Sequence, residues 1–450
     1  MSERDLLRQT ADYAADFLET LPDRPVTAEA TFAELTERLG GPLPQHGLDP
    51  RAVVASLVEA VEPGVVGTAS GRYFGFVIGG ALPSALAADW LTTTWDQNAG
   101  LYAGGPAASV VEETCRGWLA ELLGLPAHVS AGFATGCQMA HVTALAAARH
   151  AVLERAGWDV AAEGLAGAPK IHVVVGAKRH ITLDRALRLL GIGASSLVVV
   201  PADAQGRMRV DELPDIEGPT IVCGQAGEVN TGAFDDLETI ADAVAGTDAW
   251  FHVDGAFGLW AAAVPSLRHL VRGAERADSW ATDAHKWLNV PYDSGVAFCA
   301  HPDAHRAAMR VTAAYLEQPE DGRRDQVDWT LEFSRRARGF PIYAAIRELG
   351  ADGIAGMVDR CCAHARLFAE LLSAGGLTVL NDVVLNQVLV RVGIDVVARV
   401  QEDGTCWLSG TQWDGGHAMR ISVSNWRTTV EDVERSAAAI LAAARVSSAA

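Results

Sequence analysis

The sequence predicts an α/β fold built around a mostly parallel sheet flanked by helices, and three observations carry that expectation. From Ile171 onward, short apolar runs alternate with helix-like stretches. Ile171–Val175, Ser196–Val200, Thr220–Gly224 and Trp250–Val253 read as strands, with helices over Leu183–Leu190 and Phe234–Ala245 between them. This βαβ rhythm places helices on both faces of a parallel sheet. Two of the apolar runs also end on residues with chemistry. Trp250–Val253 ends on Asp254, and Ser279–Thr282 ends on Asp283-Ala284-His285-Lys286-Trp287. Finally, a hydrophobic share of 49% over 450 residues is ample for a large core.

In open α/β sheets the chemistry sits outside the carboxyl ends of the strands, so Asp254 and Lys286, 32 positions apart, fall at one crevice. An aspartate and a lysine so placed suit pyridoxal 5'-phosphate (PLP): the lysine makes a Schiff base and the carboxylate pairs with the pyridinium nitrogen. The alternative is a surface salt bridge worth little. Only three lysines occur among 36 basic residues, however, and one of them stands at a strand end between His285 and Trp287.

Composition narrows the rest. A net charge of −20 argues against a nucleic-acid or membrane-surface partner. The acidic, amphipathic N-terminus lacks the order of a signal peptide, and no apolar run reaches membrane-spanning length. Seven scattered cysteines, with Cys361-Cys362 the one close pair, suggest neither a zinc site nor a disulfide framework. A cytoplasmic protein with reduced thiols is expected. No GK dipeptide occurs, which excludes a Walker P-loop.

His252-Val253-Asp254-Gly255-Ala256 followed by Asp283-Ala284-His285-Lys286-Trp287 resembles the group II PLP-dependent decarboxylases, the relatives of aromatic-amino-acid and glutamate decarboxylase. The resemblance runs from about Leu21 to the C-terminus. It implies PLP fold type I, with a mostly parallel sheet of the seven-stranded type. The expected division is a helical dimerisation arm over 1–60, a large PLP-binding domain over 61–340 and a small C-terminal α+β domain over 341–450.

The remaining motifs take roles beside this resemblance. Residues 1–60 read as helices joined by Pro/Gly punctuation; they fold on their own domain or pack on another subunit, and the resemblance favours a homodimer. Gly71–Phe76 and Gly79–Pro83 form a Gly-rich aromatic stretch, a substrate wall by resemblance and core otherwise. Gly132–His141 is a glycine-containing turn feeding an alanine-rich helix that ends near Arg149, a ready anion site. It matches the family's phosphate cup, with Thr135, Gly136, Cys137 and Gln138 as candidates, although Cys137 and Gln138 replace the commoner small or hydroxyl residues. His180 reads as a helix cap, and by resemblance as the histidine stacked on the PLP ring. Asn230 and Thr231, in a turn where Glu228-Val229 replaces the family's threonine pair, are candidate cofactor neighbours, although turn chemistry alone accounts for them. Asp283 and His285 are assigned to the cofactor site, His285 on the phosphate, and Ala256 is small enough for the ring to lie flat over Asp254.

Glu317–Trp329 is long and polar and is expected to be a mobile loop leading into a solvated charge run, Ser334–Arg338. In the family a loop here closes over the neighbouring subunit's site and carries a tyrosine that protonates the substrate carbon. That position falls near Gln326, and no tyrosine lies between Tyr315 and Tyr343. A long helix follows (Tyr343–Met357, then Val358–Ala374 after a soft break). Strands are expected near Val388–Val392, Thr405–Gly410 and His417–Val423, with Arg420 suited to a core-edge ion pair or a substrate carboxylate. The expected reaction is decarboxylation of an L-amino acid to the amine and carbon dioxide, with Lys286, His180 and Asp254 as catalytic residues and no metal. An aldehyde synthase and an aminotransferase or carbon–carbon lyase would use the same cofactor residues. A fold that binds PLP or a partner without turnover is the reading from a different class. Tyr73, Phe74, Phe76 and Trp95 lean the substrate towards aromatic amino acids.

Overall fold

The computed structural model describes residues 2–311 and 323–448. Three helices open the chain: α1 (Glu3–Thr20), α2 (Phe32–Leu39) and α3 (Pro50–Val61). Each starts on a side-chain cap that satisfies otherwise orphaned backbone N–H groups. Ser2 and Thr31 make reciprocal capping boxes with Asp5 and Glu34, and Asp49 caps α3 ahead of Pro50. None of the three buries a residue within this chain. α4 (Pro83–Trp95) and α5 (Pro106–Leu122) follow, both with proline in the first turn.

Seven strands build the main sheet: β1 (Ser130–Ala134), β2 (His172–Gly176), β3 (Leu197–Val200), β4 (Thr220–Gln225), β5 (Trp250–Asp254), β6 (Ser279–Asp283) and β7 (Gly295–Cys299). Their order is β1-β7-β6-β5-β4-β2-β3. The ladder from β3 through β2, β4 and β5 to β6 is parallel, while β7 runs antiparallel to both β6 and β1. The expected mostly parallel sheet is thus present, and each of its strands foreseen from Ile171 onward lies within one or two residues of its place. β1 is the addition. Gly132–Ala134 belong to a strand rather than to the turn, because their backbone pairs with Gly295–Ala297.

α6 (Cys137–Arg155) lies across this sheet and continues one and a half turns past Arg149. Its alanines allow close approach, and it is buried on almost all sides. α7 (Val160–Glu163), α8 (Ile181–Leu189), α9 (Leu237–Val244), the short α10 (Ala284–Trp287) and α11 (Pro302–Met309) complete this part. Trp250, Trp260, Trp280 and Trp287 are fully buried around the strand ends.

α12 (Gly339–Ala374) breaks at Gly350, not near Met357 as expected, because the glycine takes φ 61. It leads to a second sheet of β8 (Thr378–Val379), β9 (Gln387–Arg391), β10 (Ser409–Trp413) and β11 (Gly416–Ser422), ordered β10-β11-β9-β8, with α13 (Val396–Asp403) and α14 (Val430–Ser448) against it. β10 lies several residues beyond the expected Thr405–Gly410. Asp414 and Gly415, both at positive φ, make a two-residue hairpin that pairs Trp413 with Gly416 and so fixes the register.

Residues 312–322, and with them Tyr315 and much of the expected mobile loop, lie outside the described residues. The rest of that stretch is packed. Gln326–Trp329 form a 3₁₀ turn with Gln326, Val327 and Asp328 buried, and Val327 N–H donates to the Gly100 carbonyl. The arginine run is not a solvated face either, since each guanidinium meets its own carboxylate. Arg335 pairs with Glu112 at 2.5 and 2.8 Å, Arg336 with Asp89 at 2.7 Å and Arg338 with Asp293 at 2.8 Å. Among the described residues no helix is long and apolar enough to cross a membrane.

Candidate active site

The parallel ladder ends β5 on Asp254 and β6 on Asp283, side by side, and α10 starts at once with Ala284. Backbone bonds weld the two strand ends: Asp283 N–H donates to the Ala256 carbonyl, and Ala256 N–H donates to Asp254 Oδ1. Lys286, on the single turn of α10, places Nζ 2.9 Å from Asp283 Oδ2. The other oxygen of Asp283 accepts the Cys137 N–H at 2.5 Å and lies 3.5 Å from His285 Nε2. The two expected catalytic groups therefore share one crevice with the N-terminus of α6.

Close backbone approach makes this geometry accessible. Any side chain at Gly295 on β7 would collide with the Gly136 backbone, and one at Gly79 would collide with the Lys286 carbonyl. Asn289, buried and left-handed at φ 53, locks the lysine turn to its surroundings. Its side chain accepts from Gly80 and Trp426 N–H groups and donates to the Trp287 and Ser424 carbonyls.

The electrostatics follow from this packing. Burial opposes the Asp254 charge, yet His141, His180 and Lys286 together hold its pKa far below the usual carboxylate range. Burial likewise opposes the Lys286 ammonium, but Asp283 above all, then Cys137 and Asp254, leave its pKa raised. Burial keeps His180 and His285 below the ordinary imidazole value and pushes the Cys137 thiol well up. His180 caps α8, with Nδ1 2.7 Å from Thr182 Oγ1, while Asp254, Lys286 and Arg420 all act on its charge. The expected cap is present, and the same ring lies within electrostatic reach of Asp254 and Lys286.

Residues 34–392, four-fifths of the chain, match the pyridoxal-dependent decarboxylase conserved domain. The chain belongs to this family. An aromatic-L-amino-acid decarboxylase of Bacillus atrophaeus is 25% identical, over 96% of this chain and 93% of that protein. L-2,4-diaminobutyrate decarboxylase of Rhizobium meliloti is 30% identical, over 78% of this chain and 73% of that one. The crystal structure of Oryza sativa TDC with PLP and tryptamine superposes with a TM-score of 0.92 at 22% identity, covering 99% of this chain and 98% of that one, and so shares the fold. The chain is a PLP-dependent amino-acid decarboxylase of fold type I.

The residues present fit the cofactor of this pyridoxal-dependent decarboxylase. A buried carboxylate, a lysine, a half-buried imidazole and a helix N-terminus converge, and Ser294 Oγ, buried next to the cup, has no partner among the described residues. Ser294 N–H donates to His285 Nδ1, which fixes that ring, and Tyr292 lies against the ring with centroids 4.3 Å apart. Of the expected cup, Gly136 and Cys137 open α6 and Thr135 is half-buried just before them, whereas the Gln138 amide reaches away to the Thr182 carbonyl.

Asn230 and Thr231 are not brought to this cluster. Glu228 captures their turn, accepting from both backbone N–H groups and from the Asn230 amide, while Thr231 Oγ1 donates to Gln205 O and Asn230 Oδ1 accepts from Thr411. The aromatic wall is also smaller than expected. Phe74 is core, edge-on to Phe368, and Trp95 packs on Phe340. Tyr73 and Phe76 remain, joined by the unforeseen Trp407 at 5.1 and 5.2 Å between centroids. Sequence reading also missed His141, whose Nε2 lies 3.4 Å from both Asp254 Oδ1 and Cys137 Sγ. Its four-residue spacing from Cys137 on one helix face was the available signal. Cys137, His141 and Asp254 are the ligand-type group found within mutual reach among the described residues.

Proposed function

We propose that Lys286 carries PLP, that Asp254 and His180 govern its ring, and that the decarboxylated substrate is an L-amino acid with an aromatic side chain. The convergence of Asp254, His180 and Lys286 beyond the carboxyl ends of β5, β2 and β6 carries this reading. Bound there, PLP supplies an electron sink for negative charge developing at the substrate α-carbon. Asp254, an anion in a low-dielectric setting, holds a proton on the pyridine nitrogen. His180 offers its flat face to the ring, and the α6 N-terminus, His285 and Ser294 take the phosphate. Asp283, 2.9 Å from Nζ, is positioned to hold the lysine proton. Arg420, nine-tenths buried on β11 with Nε lacking a partner among the described residues, suits the substrate carboxylate, and Tyr73, Phe76 and Trp407 suit its side chain.

The working unit in this proposal is a homodimer. α1–α3 bury nothing in their own chain, while Phe32 and Leu43 are 87% and 84% exposed. Apolar surface on this scale marks a protein interface. We keep the division into an arm (1–60), a PLP-binding domain (61–340) and a C-terminal domain (341–450) as part of the same proposal.

The deciding experiment is carbon dioxide release from individual L-amino acids by the PLP-loaded protein, with the organic product identified. An amine from aromatic substrates supports the proposal, and release only from acidic or aliphatic ones removes the aromatic assignment. One observation favours a second reading: Gln326 stands near the family tyrosine's position, with its amide buried and without a partner among the described residues. Without that proton donor, dioxygen would take two electrons from the substrate carbon after carbon dioxide leaves, and water would hydrolyse the resulting imine, giving aldehyde, ammonia and hydrogen peroxide. An aldehyde product would establish it.

A further inference from the structure

Behind Asp254 lies a continuous buried polar chain that the proposed chemistry does not use. The two-residue period of a strand turns Trp250, His252 and Asp254 to one face of β5. Ser279 sits opposite His252 in the parallel ladder with β6, and His141 reaches the same face from α6. Trp250 Nε1 lies 2.8 Å from Ser279 Oγ, Ser279 Oγ 2.8 Å from His252 Nδ1, and His252 Nε2 2.9 Å from His141 Nδ1. His141 Nε2 then lies 3.4 Å from Asp254 Oδ1. Trp250, Ser279, His252 and His141 are all wholly buried.

Donor and acceptor capacities allow this chain a direction that ends on Asp254. An indole nitrogen only donates, so Ser279 Oγ accepts from Trp250. The Ser279 hydroxyl hydrogen can then go to His252 Nδ1, which leaves that nitrogen unprotonated. Burial, reinforced by His141, holds His252 at a pKa of about 3, in keeping with a neutral ring. Its hydrogen resides on Nε2 and is donated to His141 Nδ1. The His141 hydrogen is then on Nε2, facing Asp254 Oδ1, with Cys137 Sγ as second acceptor. Two imidazoles and a hydroxyl cost more to bury than apolar side chains of equal volume, and a directed chain ending on a carboxylate gives that burial a use.

We propose that His141 is a positioning residue for the cofactor: oriented by Trp250, Ser279 and His252, it donates to Asp254 and keeps that carboxylate ionised and aimed at the ring nitrogen. This rests on Asp254 being the ring's partner. His141 touches neither substrate nor cofactor and acts through Asp254 alone.

The test is a double-mutant cycle read by PLP dissociation constant and by the visible absorbance of the bound cofactor, using full-length protein. Asp254→Asn, His141→Leu and the double variant are compared with wild type. His141→Leu is expected to weaken PLP binding by about tenfold or more, the scale of a lost hydrogen bond to a buried charge. The double variant should bind no worse than Asp254→Asn alone, and His141→Gln, which retains a donor at the same reach, should recover most of the loss. His305→Leu is the control: it breaks another buried Ser–His bond, to Ser130 at 2.8 Å, and should leave PLP affinity unchanged. If Asp254→Asn is impaired while His141→Leu binds PLP normally, or if the two losses multiply, the positioning role is wrong and the Asp254 assignment stands. If Asp254→Asn itself binds normally, the Asp254 assignment falls and the role of His141 with it. Should His141→Leu fail to fold, Ser279→Ala decides, because it releases the tautomer of His252. Several-fold weaker binding supports the chain, and unchanged affinity overturns it.

Discussion

Two buried carboxylates in this molecule are treated in opposite ways. Glu112 on α5 meets Arg335 in a closed fork, both side chains at most 1% exposed, so each carboxylate oxygen takes a guanidinium N–H. Asp254 has no such partner. A backbone N–H, an imidazole at 3.4 Å and a thiol at 4.0 Å surround it, and its charge is held by several groups at moderate range. The closed pair anchors the segment after residue 323 to α5. The open one retains acceptor capacity for a ligand. A buried charge that is stabilised without being fully bonded is the mark of a site, and a fully bonded one is the mark of a joint.

The largest expected effect separates function from fold. Lys286→Ala should abolish carbon dioxide release while the protein remains folded, as checked by turnover and thermal unfolding of the same preparation. Glu112→Ala should do the reverse. It leaves the Arg335 guanidinium buried and unpaired, a loss of about 3–5 kcal/mol in unfolding free energy by denaturant titration. Carbon dioxide release per folded molecule should stay near wild type, because no group of the cofactor crevice bonds to this pair.

A third carboxylate adds a pH axis. Asp235 accepts the Met208 and Gln225 N–H groups, yet burial outweighs those bonds and lifts its pKa from 3.8 to about 6. The folded state then binds this proton more tightly than the unfolded state. Its stabilising contribution is complete below the unfolded value and is lost as pH rises from about 4 through 6, an amount on the order of 3 kcal/mol. Asp254 is shifted the opposite way, so its contribution is lost only in strong acid. Urea midpoints taken between pH 4 and 7 should show a falling component that Asp235→Asn removes.

These contrasts also explain what could be read in advance. Asp254 and Lys286 were legible because they end apolar runs, and a parallel sheet brings consecutive strand ends together. The βαβ rhythm was legible for the same reason, being written in local periodicity. β1 was not, since its pairing with β7 joins segments far apart in sequence. The arginines of 335–338 looked solvated because nothing local shows that Glu112, Asp89 and Asp293 lie opposite them. Asn230 and Thr231 were misplaced because a single departure, Glu228, redirects the whole turn onto itself. His141 was hidden because it serves Asp254 across more than a hundred residues of chain, and in its own helix it reads as one polar residue among alanines.

The smallest effect sharpens the opening contrast most directly. Arg338 grips Asp293 with two bonds, at 2.8 and 3.3 Å, much as Arg335 grips Glu112. Asp293, however, is 42% exposed, against 0% for Glu112. Water already competes for the Asp293 carboxylate, salt screens the attraction, and an asparagine there would still offer Arg338 an amide oxygen. Asp293→Asn should lower stability by only about 0.2–1 kcal/mol, and by less at high ionic strength. Denaturant titrations of this variant and of Glu112→Ala at two salt concentrations would compare the same fork geometry in two solvents. Equal losses would mean that geometry, rather than burial, sets the strength of these pairs, and the distinction between joint and site would then have to rest on how many bonds each carboxylate makes.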